Sequence, residues 1–301
     1  MAQALRLSMR SPAVVLEFMH PITWFAPMWA FACGVVSSGH APGARWPVVV
    51  AGVVLAGPLV CGTSQAINDW FDRHVDAINE PDRPIPSGRL PGSWGLIIAI
   101  VATGLSLLVA TVLGPVGFAA GVVGLVLAWA YSAPPLRLKQ NGWLGNAVCG
   151  ACYEGLPWIT GAAVASGLVP SWRVFLVAAL YSTGAHGIMT LNDFKSIEGD
   201  RRTGVRSLPV HLGVRAASRL ACVVMVAPQV VVAGLLYLWG AWIEADVVAL
   251  LVFAQIALMP RFLRDPRGQA PWYNGTGTLL YVLGMLASAI ALAGTAPWPA
   301  P

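Results

Sequence analysis

The sequence predicts an all-α membrane protein, a polytopic bundle of about nine transmembrane helices. Of its 301 residues, 57% are hydrophobic and only 10% are charged, whereas a typical soluble domain carries about 25% charged residues. A stretch of 47 uncharged residues separates Arg89 from Arg137, which is long enough for two helices of roughly 20 residues. Helices are expected because lipid offers no hydrogen bonds to an open backbone.

Nine apolar stretches follow one another along the chain. They lie near residues 18–38, 47–67, 93–112, 115–132, 143–165, 172–191, 216–238, 241–260 and 273–295. Tryptophans close to several of their ends are typical of side chains at a membrane interface. We therefore expect residues 1–301 to form a single membrane domain.

The basic residues predict the orientation of this bundle. With a cytoplasmic N-terminus, all 18 lysines and arginines except Arg45 and Arg173 fall on the cytoplasmic side, as the positive-inside rule requires. The net charge of +5 is thereby explained without nucleic-acid binding. Arg6, Arg10 and Glu17 precede the first span, a pattern unlike a cleavable signal or a chloroplast transit peptide. A bacterial inner membrane is the expected location.

Two similar polar segments follow the second and sixth apolar stretches. The first is NDWFDRHVD at residues 68–76 and the second is NDFKSIEGD at residues 192–200. Each leads to an arginine followed by Ile-Pro or Leu-Pro, at Arg83 and Arg206. With four spans between them, both segments face the cytoplasm. The repeat predicts two related four-helix units whose polar ends meet.

The spacing within the two segments indicates a metal site. Asp69, Asp72 and Asp76 share one face of a helix at offsets of three and seven residues, and the same offsets place Asp193 and Asp200 on one face with Ser196. Clustered carboxylates repel one another, and Mg²⁺ relieves this by bridging one or two carboxylates to substrate phosphates. The alternative for either segment alone is a solvated helix cap.

Basic side chains near these acids have two possible roles. They are Arg83, Arg137, Lys139, Lys195, Arg201 and Arg206. Any one of them is explained equally well by the positive-inside rule, but together they would supply countercharge to a departing diphosphate. No phosphate loop, nucleophile elbow or zinc-protease helix occurs in the sequence, and the five cysteines suggest no disulfide framework.

Four segments together resemble the UbiA superfamily of intramembrane prenyltransferases, and within it the chlorophyll and bacteriochlorophyll synthases. They are NDWFDRHVDAINEPDRPIPSGRL (68–90), YSAPPLRLKQNGWLGN (131–146), CYEG (152–155) and NDFKSIEGDRRTGVRSLPVHLG (192–213). The short N-terminus is closer to the bacterial members than to the plant ones. The resemblance implies a UbiA-like fold that covers nearly the whole chain.

The resemblance also implies roles for individual residues. Asn68, Asp72 and Asp76 would bind one Mg²⁺–diphosphate pair, with Asp69 in the same metal cluster, and Asp193 and Asp200 would bind the other. Many members carry a third acid where this chain has Ser196, and either Glu198 or a water-mediated contact from Ser196 would have to compensate. Tyr131, Arg137 and Lys139 match a family loop that covers the diphosphate.

The implied reaction is esterification of the propionate of (bacterio)chlorophyllide with a geranylgeranyl or phytyl group from the diphosphate. A carboxylate with a reference pKa of about 4 is already ionised at neutral pH, so no general base is assigned. Glu154 and His186 lie within apolar stretches and are candidates for the pigment pocket, with ordinary helix packing as the alternative. Partner proteins of pigment synthesis are compatible with the sequence, which identifies none.

Three alternative functions remain open. An aromatic prenyltransferase of quinone or haem synthesis would share the Mg²⁺ site but transfer the chain to a different acceptor. A cation transporter would place its acids near the middle of the bilayer, whereas these acids cluster at one face. A non-catalytic pigment carrier would need several histidines within its spans, and only His186 clearly qualifies.

Overall fold

Residues 11–295 are described by the computed structural model, and this part of the chain is helical apart from its connections and one isolated bridge between Asn141 and Arg206. Arg6 and Arg10 lie outside it. The helices are α1 Pro12–Phe18, α2 Phe25–Ser37, α3 Trp46–Val54, α4 Gly62–Asn79, α5 Trp94–Ala110, α6 Gly114–Ser132, α7 Gly142–Gly150, α8 Leu156–Ser166, α9 Trp172–Asp193, α10 Ile197–Thr203, α11 Leu208–Leu212, α12 Val214–Leu238, α13 Trp242–Arg264 and α14 Pro266–Thr295. Two π-helical turns, Leu55–Cys61 and Ala151–Gly155, join α3 to α4 and α7 to α8.

Within this described range, six helical segments are long and apolar enough to cross a membrane. They are Gly43–Ile78, Trp94–Ser132, Trp172–Asp193, Val214–Leu238, Trp242–Arg264 and Pro266–Gly294. The predicted all-helical membrane class is confirmed. The predicted stretches near 18–38 and 143–165 correspond to shorter or less apolar helices.

The segment Trp94–Ser132 is a helical hairpin and not one long helix. The chain reverses at Gly114, whose φ of +77° lies in the left-handed region that glycine tolerates. The indole nitrogen of Trp129 then donates a 3.2 Å hydrogen bond to the Thr103 hydroxyl. Helices α5 and α6 are therefore antiparallel neighbours, as the 47-residue uncharged stretch predicted.

The first polar segment lies in the second half of a long helical rod. From Trp46 to Asn68 the rod rises about 33 Å, at roughly 1.5 Å per residue, which matches a hydrocarbon core of about 30 Å. A span that begins at Trp46 would therefore end near Asn68, with the carboxylates of α4 after it.

The second polar segment is broken, and the prediction that Asp193, Ser196 and Asp200 share one helix face was wrong. Helix α9 ends at Asp193, and α10 begins at Ile197. The Ser196 hydroxyl donates to the carbonyl of Asp193 at 3.2 Å and to Asp200 Oδ2 at 2.8 Å. Serine offers the backbone such local alternatives to a continuous helix, so the two motifs match in sequence but differ in shape.

Close glycine contacts hold the centre of the bundle together. A Cβ atom added to Gly34 on α2 would lie 2.0 Å from the carbonyl oxygen of Trp158, and one added to Gly161 on α8 would lie 2.1 Å from that of Phe31. Small residues allow membrane helices to approach in this way. On its other side α2 meets α14, where the Trp29 indole donates to the Val282 carbonyl at 3.0 Å.

Candidate active site

Both polar segments border one large cavity, which holds about 2050 Å³ of empty space counted to its open mouth. Helices α2, α4, α6, α7, α9 and α14 contribute to its wall. The predicted site residues that line it are Asn68, Tyr131, Lys139, Asp193, Lys195 and Asp200. Segments that are more than a hundred positions apart in the sequence therefore meet at one place.

Asp69 and Asp76 belong to an ion cluster organised by Arg83. The Arg83 Nη1 atom lies 3.2 Å from Asp69 Oδ1 and 3.0 Å from Asp76 Oδ2, while Glu80 binds the remaining guanidinium edge at 2.7 and 2.9 Å. Burial opposes the charge of Arg83, but these carboxylates outweigh it and raise its pKa. His20 Nε2 lies 2.8 Å from Asp69 Oδ2. Both oxygens of Asp69 are thus engaged, and a metal ion would have to displace a partner.

Asp72 is paired with the loop after α6. Lys139 Nζ lies 2.6 Å from its Oδ2, and Arg137 Nη2 lies 3.5 Å from its Oδ1. The Lys139 side chain is only 9% exposed. Burial lowers the pKa of Lys139, although the charge and hydrogen bond of Asp72 oppose this shift. The basic loop therefore touches the first motif directly.

Asn68 is oriented by a neighbouring helix. Its Nδ2 donates to the Ser132 hydroxyl at the end of α6, at 3.2 Å. No other described side chain bonds to this amide, so its Oδ1 remains an available oxygen ligand at the cavity wall.

The second motif is held by neutral donors. Asn146 Nδ2 donates to Asp193 Oδ2 at 3.2 Å. The hydroxyls of Ser196 and Ser207 both donate to Asp200 Oδ2, at 2.8 and 2.6 Å. Ser196 thus stands where the family pattern has an acid, and it orients the acid that follows.

The basic loop and the second motif are joined through their backbones. Gly142 donates its N–H to the Arg206 carbonyl at 3.0 Å, and Arg206 donates its own N–H to the Gln140 carbonyl at 2.9 Å. Lys139 is consequently fixed between the two motifs.

Three other charged residues face outward. Arg201 and Arg206 are exposed, with Arg201 3.8 Å from Glu198 and Arg206 3.2 Å from His211. Glu198 also lies 3.7 Å from Arg267 at the surface. Glu198 therefore does not replace the missing third acid, and the two arginines could reach a diphosphate only by leaving these partners.

The two candidates for the pigment pocket do not share a pocket. Glu154 is buried in the second π-helical turn near Tyr181 and Tyr281, and its Oε2 has no hydrogen-bond partner among the described residues. His186 instead borders a separate groove beside Trp143, with a ring separation of 5.7 Å. Glu154 lies near Tyr181 on α9, whereas His186 is five residues further along this helix and on a different face of it.

The sequence analysis missed several cavity residues. Gln65 donates to the Tyr153 hydroxyl at 2.9 Å where α4 approaches the second π-helical turn. Asn192 accepts a 2.8 Å hydrogen bond from Asn274 on α14. Asn192 was recognisable as the counterpart of Asn68, but Asn274 lies in no repeated motif.

These side chains are suitable for Mg²⁺. Within residues 11–295, no group of three or more His, Cys, Asp or Glu side chains forms a ready metal site. Mg²⁺ does not require one, because it retains waters and binds through one or two carboxylates together with substrate phosphates. Such oxygens line one cavity, on Asn68, Asp193 and Asp200. Asp72 is paired with Lys139, which lines the same cavity.

The fold and site define an intramembrane prenyltransferase. The UbiA prenyltransferase family profile matches residues 23–282. The chain belongs to this family.

Its relatives include pigment synthases. A bacteriochlorophyll synthase 33 kDa chain from Cereibacter sphaeroides is 59% identical, over 95% of each protein. The protein of the same name from Rhodobacter capsulatus is 53% identical, over 96% of each. A chloroplastic chlorophyll synthase from Oryza sativa is 38% identical, over 92% of this chain and 76% of the relative.

Solved structures share the architecture. A UbiA homolog from Archaeoglobus fulgidus bound to GPP and Mg²⁺ matches with a TM-score of 0.70 and 20% identity, over 93% of this chain and 99% of that one. At this identity the likeness concerns the fold alone.

Proposed function

We propose that this protein esterifies the propionate of bacteriochlorophyllide a with a geranylgeranyl or phytyl group from the prenyl diphosphate, in a Mg²⁺-dependent reaction. The observation that carries the proposal is the shared cavity, whose wall combines Asn68 of the first motif and Asp193 and Asp200 of the second with Lys139, a side chain only 9% exposed. The names of the similar bacterial proteins support the choice of pigment.

The carboxylates would hold the metal ions. We assign one Mg²⁺–diphosphate pair to Asn68, Asp72 and Asp76 of the first motif. We assign the other pair to Asp193 and Asp200 of the second motif. Asp76 binds Arg83 through Oδ2 alone, so its Oδ1 has no side-chain partner among the described residues. Asp72 must release Lys139 or Arg137 to bind the metal. Asp69 is a weaker ligand candidate, since its own side chain is buried and both of its oxygens already bind partners, His20 and Arg83.

The basic residues would hold the diphosphate. Lys139 and Lys195 line the cavity, and Tyr131 lies on its wall. Arg83 and Arg137 become available when the carboxylates turn to the metal. Arg201 and Arg206 would act only after rearrangement at the surface.

The reaction then needs little acid–base chemistry. Bound Mg²⁺ supplies charge stabilisation to the leaving diphosphate. The C1–O bond breaks with its electron pair on the diphosphate, where the lysines stabilise the charge. The acceptor's carboxylate oxygen forms the new bond to C1. The apolar cavity wall excludes water from the electron-poor carbon.

We also propose a topology for this enzyme. Residues 1–301 would act as a single domain of nine spans, made of two related four-helix units and a last helix. The hairpin of α5 and α6, and the continuous helical run from α7 to α8, support the additional crossings. The charge bias supports a bacterial inner membrane with the N-terminus and active site cytoplasmic.

A transfer assay on membranes that contain the protein tests this proposal. Bacteriochlorophyllide a, geranylgeranyl diphosphate and Mg²⁺ are supplied, with and without chelator, and the pigment is followed into a hexane-soluble ester. Arg89→Gln is a suitable control variant, because Arg89 pairs with Glu17 at the surface, outside the cavity.

Mg²⁺-dependent ester formation by the wild type and by Arg89→Gln is the expected result. Transfer to an aromatic acid without any pigment ester would overturn the acceptor while preserving the metal site. No transfer to either acceptor by folded protein would overturn the proposed reaction.

A further inference from the structure

Three polar side chains connect the last helix to the second motif. The Thr278 hydroxyl donates to Asn274 Oδ1 at 3.2 Å, and Asn274 Nδ2 donates to Asn192 Oδ1 at 2.8 Å. All three residues line the active-site cavity. In this arrangement the Oδ1 end of the Asn192 amide is the occupied one.

The corresponding asparagines of the two motifs are engaged in opposite ways. Asn68 gives its Nδ2 to Ser132 and keeps Oδ1 available, which is the end that a cation needs. Asn192 gives its Oδ1 to Asn274 and keeps Nδ2 available, since no other described residue bonds to it. The first amide therefore suits Mg²⁺, whereas the second suits an anion.

The anion best served by a neutral donor is the acceptor's carboxylate. The diphosphate carries several charges and has Lys139 and Lys195 at the same cavity. A carboxylate that must attack carbon would lose reactivity in a close ion pair with a cation. One amide hydrogen bond orients it and leaves lone pairs on the oxygen for bond formation.

The cavity that Asn192 borders also has apolar residues that suit the rest of a pigment acceptor. Ile22, Phe25 and Ala26 line the same cavity. Below them α2 and α14 are joined by the bond from Trp29 to Val282. An apolar macrocycle could occupy this side of the cavity while its single carboxylate reaches the second motif.

We propose that Asn192 binds the acceptor's carboxylate through its Nδ2, and that Asn274 and Thr278 are positioning residues that hold the amide in this orientation. The inference rests on the proposed function, because it presumes a carboxylate acceptor. It adds a specificity determinant for that acceptor to the metal and diphosphate sites.

The experiment compares two ligands that differ only at the carboxyl group. Full-length protein in nanodiscs is saturated with Mg²⁺ and unreactive geranylgeranyl thiolodiphosphate. The affinities of bacteriochlorophyllide a and of its methyl ester are then measured by pigment fluorescence. Asn192→Leu removes the amide at nearly constant volume.

We expect Asn192→Leu to weaken binding of the acid about tenfold or more, as loss of a hydrogen bond to a charged group should. Its affinities for the methyl ester and the thiolodiphosphate should remain within about twofold of wild type. The variant should also discriminate less between acid and ester.

Thr278→Val provides a milder test if Asn192→Leu does not fold. We expect a loss of about threefold for the acid alone, the effect of one neutral hydrogen bond. Thr276→Val is its matched control, because the Thr276 hydroxyl bonds the Trp272 carbonyl at 2.9 Å. That variant should bind both ligands like wild type.

Other outcomes overturn the assignment. Weaker thiolodiphosphate binding would place Asn192 at the metal–diphosphate site, and equal losses for acid and ester would indicate a general packing defect. Unchanged binding in both variants would also refute it. Failure of the proposed function is seen separately, as a wild-type protein that makes no ester and does not distinguish the two ligands.

Discussion

Replacement of Lys139 by methionine tests whether a buried cation holds the diphosphate. The Lys139 side chain is 9% exposed, and its Nζ lies 2.6 Å from Asp72 Oδ2, so little water screens its charge. At a separation of roughly 4 Å and an effective dielectric constant of about 20, two unit charges interact by about 4 kcal/mol. The net value of a charged hydrogen bond is smaller, about 1.5–3 kcal/mol.

We therefore expect Lys139→Met to lower kcat/KM for the prenyl diphosphate roughly a hundredfold, or about 2.7 kcal/mol. Lys195→Met is the matched comparison, because Lys195 borders the same cavity but is exposed. Its loss should cost about fivefold or less at low salt. That effect should vanish near 1 M salt, where the Debye length is about 3 Å.

The assay is the initial rate of ester formation over a range of prenyl diphosphate concentrations, at low and high ionic strength. A loss of less than about threefold in Lys139→Met would refute the reasoning. So would a larger loss in Lys195→Met, because burial would then not determine the strength of the interaction.

Four further predictions concern the metal site and the packing. Asp72→Ala should lower turnover at least about a hundredfold while the protein stays folded in the membrane, because Mg²⁺ loses a ligand. Asp69→Asn should mainly lower the melting temperature in nanodiscs, because this buried carboxylate binds both His20 and Arg83; a purely catalytic loss would contradict that view. Gly34→Ala should reduce the free energy of unfolding by about 1–3 kcal/mol through overpacking. Gly104→Ala is the control, because no atom lies within 4 Å of its added Cβ. It should be neutral or stabilising by up to about 1 kcal/mol. Chelation should abolish turnover and added Mg²⁺ should restore it, which persistence of activity in excess chelator would disprove.

The repeated spacing predicted part of the cavity's lining but not its shape, and Asp69, Asp72 and Asp76 do not line the cavity. Asn68, Asp193 and Asp200 line it as the matched offsets indicated. The break after Asp193 was not predicted, because the same offsets fit a continuous helix and the Ser196 hydroxyl favours a turn through local hydrogen bonds. Sequence spacing therefore identified the residues without fixing the backbone.

Contacts between residues that are far apart in the sequence were not predicted, because they leave no local sequence pattern. The bond from His20 to Asp69 spans 49 positions, and it takes up an oxygen that the spacing alone had assigned to metal. Glu154 follows Tyr153, which lines the cavity, but the Glu154 side chain is buried near Tyr181 and Tyr281, and no local pattern in the sequence shows this. Asn274 has no counterpart in either motif, so only the folded chain brings it to Asn192.

The ion pairs of Arg83 with Asp69 and Asp76, and of Lys139 with Asp72, have a consequence for the resting enzyme. With the acids of the first motif already paired with internal cations, this motif exposes few bare carboxylates to stray divalent ions. A lone metal ion would have to strand these basic side chains without an anion. A metal ion that binds together with diphosphate brings an anion that can take the place of the carboxylates beside Arg83 and Lys139. Binding is then an exchange of counterions, which favours the metal–diphosphate complex over the metal ion alone.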